Sequence, residues 1–214
     1  MLEPCIVIGC GGHSASVISI IESLECYEIL GLVDVAEEFN PDERKSGYSV
    51  LFNLDELLNN SSKYLHIHCF IAIGDNENRA RIYNSLKRFE FNFPNAISSY
   101  ATVDRTVKFG DGNIIAHGVV INSQVKVEDN NLINTRSIIE HHSHLKSHSH
   151  IAPGAIICGN VSLSSFSFIG AGAVIVPHIS VAEKFILGAG SVLVTNVQQA
   201  NATFIGIPGK ALTK

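Results

Sequence analysis

The feature that most constrains this chain is a six-residue repeat of large apolar side chains in its second half. Seventeen positions spaced six residues apart, from Ile97 to Leu193, are all Ile, Val, Leu or Phe, and the register does not slip. An α-helix would place apolar residues every three or four positions, and a half-buried strand every two. A strict period of six is typical of a coil with three short faces per turn, each burying one large side chain. The repeat therefore predicts a hexapeptide parallel β-helix.

Residues 1–93 do not follow this repeat and instead alternate buried strands with amphipathic helices. Short apolar strands are predicted at residues 5–8, 29–33 and 66–73, and helical spacing follows the first and the third of them. Strand–helix–strand alternation predicts a small parallel α/β sheet. We therefore divide the chain into a Rossmann-like α/β domain over residues 1–93 and a β-helix over residues 94–214.

The loop after the first predicted strand is rich in glycine and reads Gly9-Cys10-Gly11-Gly12-His13-Ser14. In Rossmann-like folds this loop binds a phosphate at the N-terminus of a helix, where N–H groups are free. Ser14 stands where the dinucleotide fingerprint has its third glycine, and the domain is too short for two mononucleotide-binding halves. The loop therefore favours one nucleotide diphosphate over NAD, with Asp34 as a candidate contact for a base or sugar hydroxyl. A tight turn without a ligand is the alternative.

A cluster of histidines within the repeat is the candidate for acid–base chemistry. Five of the ten histidines crowd into ten consecutive residues. Because Ile139 and Leu145 face inward, His141 and His142 fall on the corner between two faces. Imidazole titrates near neutral pH, so a corner histidine beside Glu140 is a candidate general base. The alternative is that these histidines are ordinary surface residues.

A zinc site is a further interpretation of the histidines, since one class of β-helical carbonic anhydrase holds zinc with histidines from two subunits. That class has a fixed pair of histidine spacings. His142 and His178 match one of these spacings, but no two histidines of this chain match the other. We therefore expect no metal. The five cysteines are an odd number without paired metal-type spacing, and we expect reduced thiols rather than disulfides.

Composition and charge argue against several classes of partner. A net charge of −5 and an isoelectric point near 6.0 are unlike those of a surface for nucleic acid or anionic membrane. The longest apolar stretches have the length of strands, so no membrane insertion is expected. The first residues do not resemble a signal peptide, and we expect a cytoplasmic protein.

Motifs along nearly the whole chain occur together in one known family. In the first half these are Ile8-Gly9-Cys10-Gly11-Gly12-His13-Ser14, Gly31-Leu32-Val33-Asp34 and Ile71-Ala72-Ile73-Gly74-Asp75-Asn76-Glu77-Asn78-Arg79. In the second half they are Ile133-Asn134-Thr135, Ile138-Ile139-Glu140-His141, His150-Ile151-Ala152-Pro153-Gly154-Ala155, Cys158-Gly159-Asn160-Val161 and Phe204-Ile205-Gly206-Ile207-Pro208-Gly209-Lys210. With these motifs the chain resembles bacterial nucleotide-sugar N-acetyltransferases of the bacillosamine-pathway type, which are related to sialic acid O-acetyltransferases.

The resemblance implies a homotrimer of left-handed parallel β-helices, each preceded by a Rossmann-like domain. In this family the N-terminal domain holds a UDP-sugar, and acetyl-CoA lies along the coil between two subunits. The base that matches is His141, flanked by Glu140 and His142. The remaining residues that match are acetyl-CoA contacts, at His150, Gly159, Gly188, Ala189 and Gly190, and nucleotide-sugar contacts, at Gly11, Gly12, His13, Asp34, Gly74 and Asn76.

On this basis we expect acetyl transfer from acetyl-CoA to the amine of a UDP-linked amino sugar, without an acyl-enzyme. Cys158 is then expected to be structural rather than a nucleophile. Relatives commonly place an acid directly after the base, where it orients the ring, but this chain has His142. Acetylation of a hydroxyl of a sialic acid or similar sugar is the nearest alternative. A non-catalytic trimeric binding or scaffold protein is the second.

Overall fold

The structure, a computed structural model, describes residues 2–36, 40 and 44–212. The chain forms two compact units, the first ending at Ser99 and the second beginning at Tyr100. The sequence predicts the boundary between the two domains after residue 93, in the segment that leads into the repeat. None of the described helices is long and apolar enough to cross a membrane.

The first unit is built around a parallel sheet with helices in its connections. Its elements are β1 Glu3–Ile8, α1 Gly12–Glu22, β2 Tyr27–Asp34, β3 Arg44–Lys45, β4 Tyr48–Asn53, α2 Leu54–Asn59, a 3₁₀ turn Ser61–Lys63, β5 His68–Ile71, α3 Asn76–Lys87 and β6 Ala96–Ile97. The strand order is β3-β4-β2-β1-β5, in which β1, β2, β4 and β5 are parallel and β3 is antiparallel to β4. The chain moves from β1 to β2 on one side and later to β5 on the other, so the order reverses at β1.

Local sequence explains where these elements begin. The last four residues of β1 are fully buried, as a strand covered on both faces should be. The Asn53 side chain accepts a hydrogen bond from the Glu56 N–H at 2.9 Å, which caps α2. The Asp75 side chain accepts from the Asn78 N–H at 2.8 Å and caps α3 in the same way. In α1, by contrast, Gly11 is the N-cap and no side chain caps the helix.

The second unit is a three-sided parallel β-helix of two-residue strands. One face contains β7 Thr102–Val103, β10 Val120–Ile121, β13 Ile138–Ile139, β16 Ile156–Ile157, β19 Val174–Ile175 and β22 Val192–Leu193. The second contains β8 Lys108–Phe109, β11 Lys126–Val127, β14 His144–Leu145, β17 Ser162–Leu163 and β20 Ser180–Val181. The third contains β9 Ile114–Ile115, β12 Leu132–Ile133, β15 His150–Ile151, β18 Phe168–Ile169, β21 Ile186–Leu187 and β23 Thr203–Ile205, with β24 Lys210–Ala211 antiparallel to β23.

The hexad positions fill the centre of this coil, as the sequence predicts. Every one of them from Ile115 to Leu193 is buried. The first three, Ile97, Val103 and Phe109, are only half-buried, because they lie at the beginning of the repeat, where few turns surround them. Each turn of the coil therefore adds three large apolar side chains to one continuous core.

A second hexad position, four residues after the large one, lines the corners with small buried side chains. Its polar members form a ladder between turns that are eighteen residues apart. The Asn131 N–H donates to Asn113 Oδ1 at 2.8 Å, the Ser149 N–H donates to Asn131 Oδ1 at 2.8 Å, and the Ser167 N–H donates to Ser149 Oγ at 3.2 Å. These bonds satisfy corner N–H groups that would otherwise be buried without a partner.

Candidate active site

The corner between β13 and β14 carries Glu140, His141 and His142, and one residue of the next turn fixes its geometry. Gly159 lies beneath the His141 ring, so a Cβ at this glycine would stand 2.7 Å from His141 Cε1 and 2.8 Å from Nε2. Real Cβ atoms do not approach so closely, so only glycine lets the imidazole lie against the coil. The structure therefore brings together two residues that the sequence proposed for different roles.

The His141 ring is hydrogen-bonded to its neighbour. His141 Nδ1 lies 3.1 Å from His142 Nδ1, and the two rings meet edge-on at 85°. Both side chains are exposed. Among the hydrogen bonds of the described residues, the His141 ring pairs with His142 and not with Glu140, although all three were sequence candidates.

Glu140 acts electrostatically on a different group. Cys158, one turn further along the coil, has its thiol pKa raised by burial and, to a smaller extent, by the negative charge of Glu140. A raised pKa keeps the thiol protonated at neutral pH, and a protonated thiol is a poor nucleophile. This agrees with the interpretation of Cys158 as structural.

A second corner of the coil, between the third face and the first, is almost free of side chains. The corner residues Gly188, Ala189 and Gly190 follow β21, and they stack on Gly170 in the preceding turn. A Cβ at Gly170 would lie 2.5 Å from the Ala189 nitrogen, so the two turns are in close backbone contact. A Cβ at Gly190 would meet nothing within 4 Å. The result is a bare corner against which a long, thin ligand could lie.

His150 belongs to the third face, on β15, next to this bare corner. Its ring meets the edge of Phe168 with ring centroids 5.2 Å apart, and its Nε2 lies 3.5 Å from Asn134 Nδ2. His141 and Gly159 lie on a different corner of the three-sided coil, the one between the first and second faces. The acetyl-CoA contacts predicted from sequence are therefore divided between two edges of one protomer.

The glycine loop of the first unit lies at the carboxyl ends of the parallel strands. Gly9 has φ +114°, and a Cβ there would lie 2.7 Å from the side chain of Ile73 and 3.0 Å from the Ala72 carbonyl oxygen. The Gly9 N–H donates to the Val33 carbonyl at 2.8 Å. Glycine is thus required for the loop to fit between the ends of β2 and β5. This is the point where the strand order reverses, which is where open α/β sheets bind ligands.

The residues proposed for the nucleotide surround this point. A Cβ at Gly11, Gly12 or Gly74 would meet nothing within 4 Å, so these backbone segments border open space. Asp34 ends β2, and its Oδ1 accepts the Ala36 N–H at 3.1 Å, which stabilises the turn that follows. The structure therefore gathers the loop after β1, the end of β2 and the loop after β5 at one edge of the sheet.

A buried arginine organises the loop after β5; in the sequence it is the last residue of a family motif, and no role was predicted for it. Arg79 is 1% exposed, and burial lowers its pKa to about 10. Its guanidinium donates to the carbonyls of Ile73 and Gly74, each at 3.1 Å, and to Asn76 Oδ1 at 2.7 Å. The side chain of Asn76, a predicted substrate contact, is therefore already engaged by Arg79.

His13 adds an unsatisfied polar atom to the glycine loop. Its Nε2 is buried, and no hydrogen-bond partner for it lies among the described residues. Burial lowers the pKa of His13, and the positive charge of Arg79 lowers it further. A buried nitrogen without a partner is costly unless a ligand satisfies it.

The described residues contain no group of three or more His, Cys, Asp or Glu side chains arranged to hold a metal ion. Two carboxylate–histidine pairs occur among them, Glu3 with His68 and Glu128 with His144, each at 2.8 Å. Glu128 Oε2 also accepts from the backbone N–H and the hydroxyl of Ser147, each at 3.2 Å, and this second pair lines a shallow groove on the second face.

Comparison with known proteins agrees with this geometry. Residues 5–86 match the family model of the PglD N-terminal domain. The match lies within the first unit and covers most of it. Comparison with curated protein sequences gives no match.

Similar solved structures extend the relationship over the whole chain. The perosamine N-acetyltransferase of Caulobacter crescentus, solved with CoA and GDP-perosamine, is 27% identical; the match covers 100% of this chain and 99% of that one, with a TM-score of 0.91. The acetyltransferase domain of PglB from Neisseria gonorrhoeae is 28% identical over 98% of this chain and 100% of that one, with a TM-score of 0.90. WeeI from Acinetobacter baumannii, at 21% identity and a TM-score of 0.86 over 98% and 100% of the two chains, shares the fold.

These comparisons confirm two predictions from the sequence. The Rossmann-like domain followed by a left-handed parallel β-helix is the fold of these enzymes. The predicted relationship to sugar N-acetyltransferases of the hexapeptide family is also confirmed.

Proposed function

We propose that this protein transfers an acetyl group from acetyl-CoA to the amine of a nucleotide-linked amino sugar. The observation that carries the proposal is the imidazole of His141 held against Gly159 at a corner of the β-helix. It occurs in a chain that matches, end to end, an N-acetyltransferase solved with CoA and GDP-perosamine. The PglB domain was solved with acetyl coenzyme A, which agrees with acetyl-CoA as the co-substrate.

In the proposed reaction His141 is the general base. An amine is largely protonated at neutral pH, so a proton must leave before or during its attack on the thioester carbonyl. The new C–N bond forms, the C–S bond breaks, and CoA leaves as the thiol. A backbone N–H near Gly159 is the proposed donor to the oxyanion. Two structures of the Caulobacter enzyme carry a substituted histidine, H141N and H141A in that enzyme's own numbering, which supports a histidine as the base here.

We propose that the nucleotide diphosphate lies on the glycine loop of the first unit. Gly11 and Gly12 begin α1, whose first N–H groups have no side-chain cap, and a helix N-terminus with free N–H groups favours an anion. The buried, unpartnered Nε2 of His13 supplies a further donor when the ring carries its proton there. Asp34, Gly74 and Asn76 border the same edge of the sheet. The Caulobacter enzyme was solved with a GDP-sugar, whereas a UDP-sugar is our expectation from the sequence, so both belong in the test.

We further propose a homotrimer whose active sites lie between subunits. His141 and Gly159 occupy one edge of the coil, whereas His150 and the corner from Gly188 to Gly190 belong to another. In the proposed assembly one acetyl-CoA molecule lies between neighbouring copies and contacts one set from each, and a closed ring of three copies repeats this contact three times. We also propose that the enzyme works in the cytoplasm. None of the five cysteines, all of which lie in the described part of the chain, forms a disulfide, as is usual in a reducing compartment.

The experiment that tests this function measures thiol release from acetyl-CoA with a panel of acceptors. The panel contains UDP- and GDP-linked 4-amino sugars, their 4-hydroxy counterparts and free sialic acids. We expect release only with nucleotide-linked amino sugars. Release with sialic acids or hydroxy sugars alone would favour the O-acetyltransferase alternative. No release above the rate of acetyl-CoA hydrolysis with any acceptor would favour the non-catalytic scaffold.

A further inference from the structure

We infer that His142 orients the base His141, in the place where relatives commonly carry a carboxylate; the inference rests on the proposed function. The two Nδ1 atoms lie 3.1 Å apart, within hydrogen-bond distance. Two imidazole nitrogens can form such a bond only if one carries a proton and the other presents a lone pair. The contact therefore fixes opposite tautomers for the two rings.

The reaction selects one of the two arrangements. A base that receives a proton at Nε2 must have a lone pair there, so its own hydrogen must be on Nδ1. His141 Nδ1–H then donates to His142 Nδ1, and His142 carries its hydrogen on Nε2. In this arrangement neutral His142 is the acceptor that holds the ring and the tautomer of His141, as a carboxylate does in other histidine bases.

The backbone holds both rings in position for this bond. His142 has φ +61°, and its N–H donates to the Ser123 carbonyl of the preceding turn at 3.0 Å. The carbonyl of His141 accepts the Asn160 N–H of the following turn at 3.0 Å, while Gly159 supports its ring. The left-handed conformation at position 142 turns the second ring edge-on to the first.

Few other titratable groups face the pair. Glu140 precedes it on the same turn, and Cys158 lies below Glu140 on the next. The turn before contributes Ser123 and the turn after contributes Gly159, neither of which titrates. His178 occupies the same corner two turns beyond His142, with φ +65°, and its N–H donates to the Gly159 carbonyl at 3.0 Å.

The inference predicts how variants at position 142 behave in steady-state kinetics. His142→Ala removes the acceptor and should lower kcat on the order of 10-fold or more, with little change in KM for acetyl-CoA. His142→Asp replaces it by an acceptor-only side chain of similar reach and should restore kcat. It should also move the acidic limb of the pH–rate profile upward in pH, because a carboxylate stabilises the imidazolium form. The matched control is His178→Ala, which places alanine in the same left-handed conformation and should leave kcat unchanged.

The tautomer of His141 can be measured without turnover, by ¹⁵N NMR of the imidazole nitrogens in the full-length protein. At pH 8 we expect His141 to carry its hydrogen on Nδ1 in the wild type and in His142→Asp, and mainly on Nε2 in His142→Ala. Wild-type His141 protonated on Nε2, or unchanged kcat in His142→Ala, would overturn the inference. Absence of turnover with every acceptor, together with the Nδ1–H tautomer, would instead reject only the proposed function.

Discussion

Gly159 determines, at the scale of single residues, where the proposed base can lie. The space that a side chain would need is occupied by the His141 ring, at 2.7 Å from the position of a Cβ. A larger residue would displace the ring from this position. The corner glycine therefore sets the position of the proposed base.

Gly159→Ala should accordingly reduce kcat by about 100-fold, since a displacement of roughly 1 Å at a reacting group can have that effect. The backbone conformation at this glycine is open to alanine, so the melting temperature should change little. Steady-state kinetics and thermal unfolding of the same preparation check both statements. Wild-type kcat in a folded Gly159→Ala variant would show that the ring position is not needed.

The buried imidazole of His13 should make the free energy of unfolding depend on pH. Burial, with a smaller contribution from Arg79, lowers the pKa of its imidazole in the folded protein. Between the folded pKa and the unfolded value near 6.5, the unfolded chain binds a proton that the folded chain does not. The free energy of unfolding should therefore decrease as the pH falls below about 6.5. Denaturant titrations at several pH values should show a smaller decrease for His13→Asn; an equal slope in both proteins would contradict this assignment.

The secondary-structure elements differ in how well the sequence predicts them. The coil was predictable because every hexad buries one large apolar side chain and the repeat is not interrupted. The strands β3 and β4 were not predicted. Val50 is the only buried residue in the burial pattern of β4, so the alternation that marks a half-buried strand is absent.

The sequence predicted which candidate residues lie at the corners of the coil, but it did not predict their contacts. Glycines and histidines at the corners could be assigned from the register of the repeat. The pairing of His141 with His142 depends on a left-handed backbone and on ring orientation, neither of which the sequence specifies. Arg79 was missed because its partners are mainly backbone carbonyls, which carry no sequence signal and come within reach only once α3 has formed.

The core of the coil should respond to substitutions according to hexad position. Ile157 points inward and is 0% exposed, whereas the adjacent Ile156 points outward and is half-buried. Ile157→Ala should lower the free energy of unfolding by about 2–5 kcal/mol, the range for a large core side chain. Ile156→Ala, the matched control, should cost about half as much or less. Equal losses in chemical denaturation would contradict the assignment of the inward face.

At the scale of the whole molecule, the division of the proposed acetyl-CoA contacts between two edges makes assembly part of the function. We expect a trimer by light scattering. Two inactive variants, His141→Ala and His150→Ala, should complement each other in mixed trimers. Each shared site needs an intact His141 from one subunit and an intact His150 from its neighbour, and a mixed trimer can supply both.

An unfractionated random mixture should recover about a quarter of the wild-type activity, since each site has an even chance of finding each intact partner. Isolated mixed trimers should recover about a third, since one site in each ring is complete. Co-expression with two different affinity tags isolates the mixed species, and trimers of one variant alone are the control. Isolated mixed trimers without recovered activity, or a monomer in solution, would contradict the shared site.

Acetylation of an amine and acetylation of a hydroxyl give different products, so the chemical identity of the product distinguishes the proposed function from its nearest alternative. Wild type and His141→Ala are incubated with acetyl-CoA and the best nucleotide-linked amino sugar, and the product is examined by NMR. We expect an amide on the sugar nitrogen, formed in equal amount to free CoA, with the initial rate on the order of 10²–10⁴-fold lower for His141→Ala. An ester on a sugar hydroxyl, or an equal rate with both proteins, would contradict it.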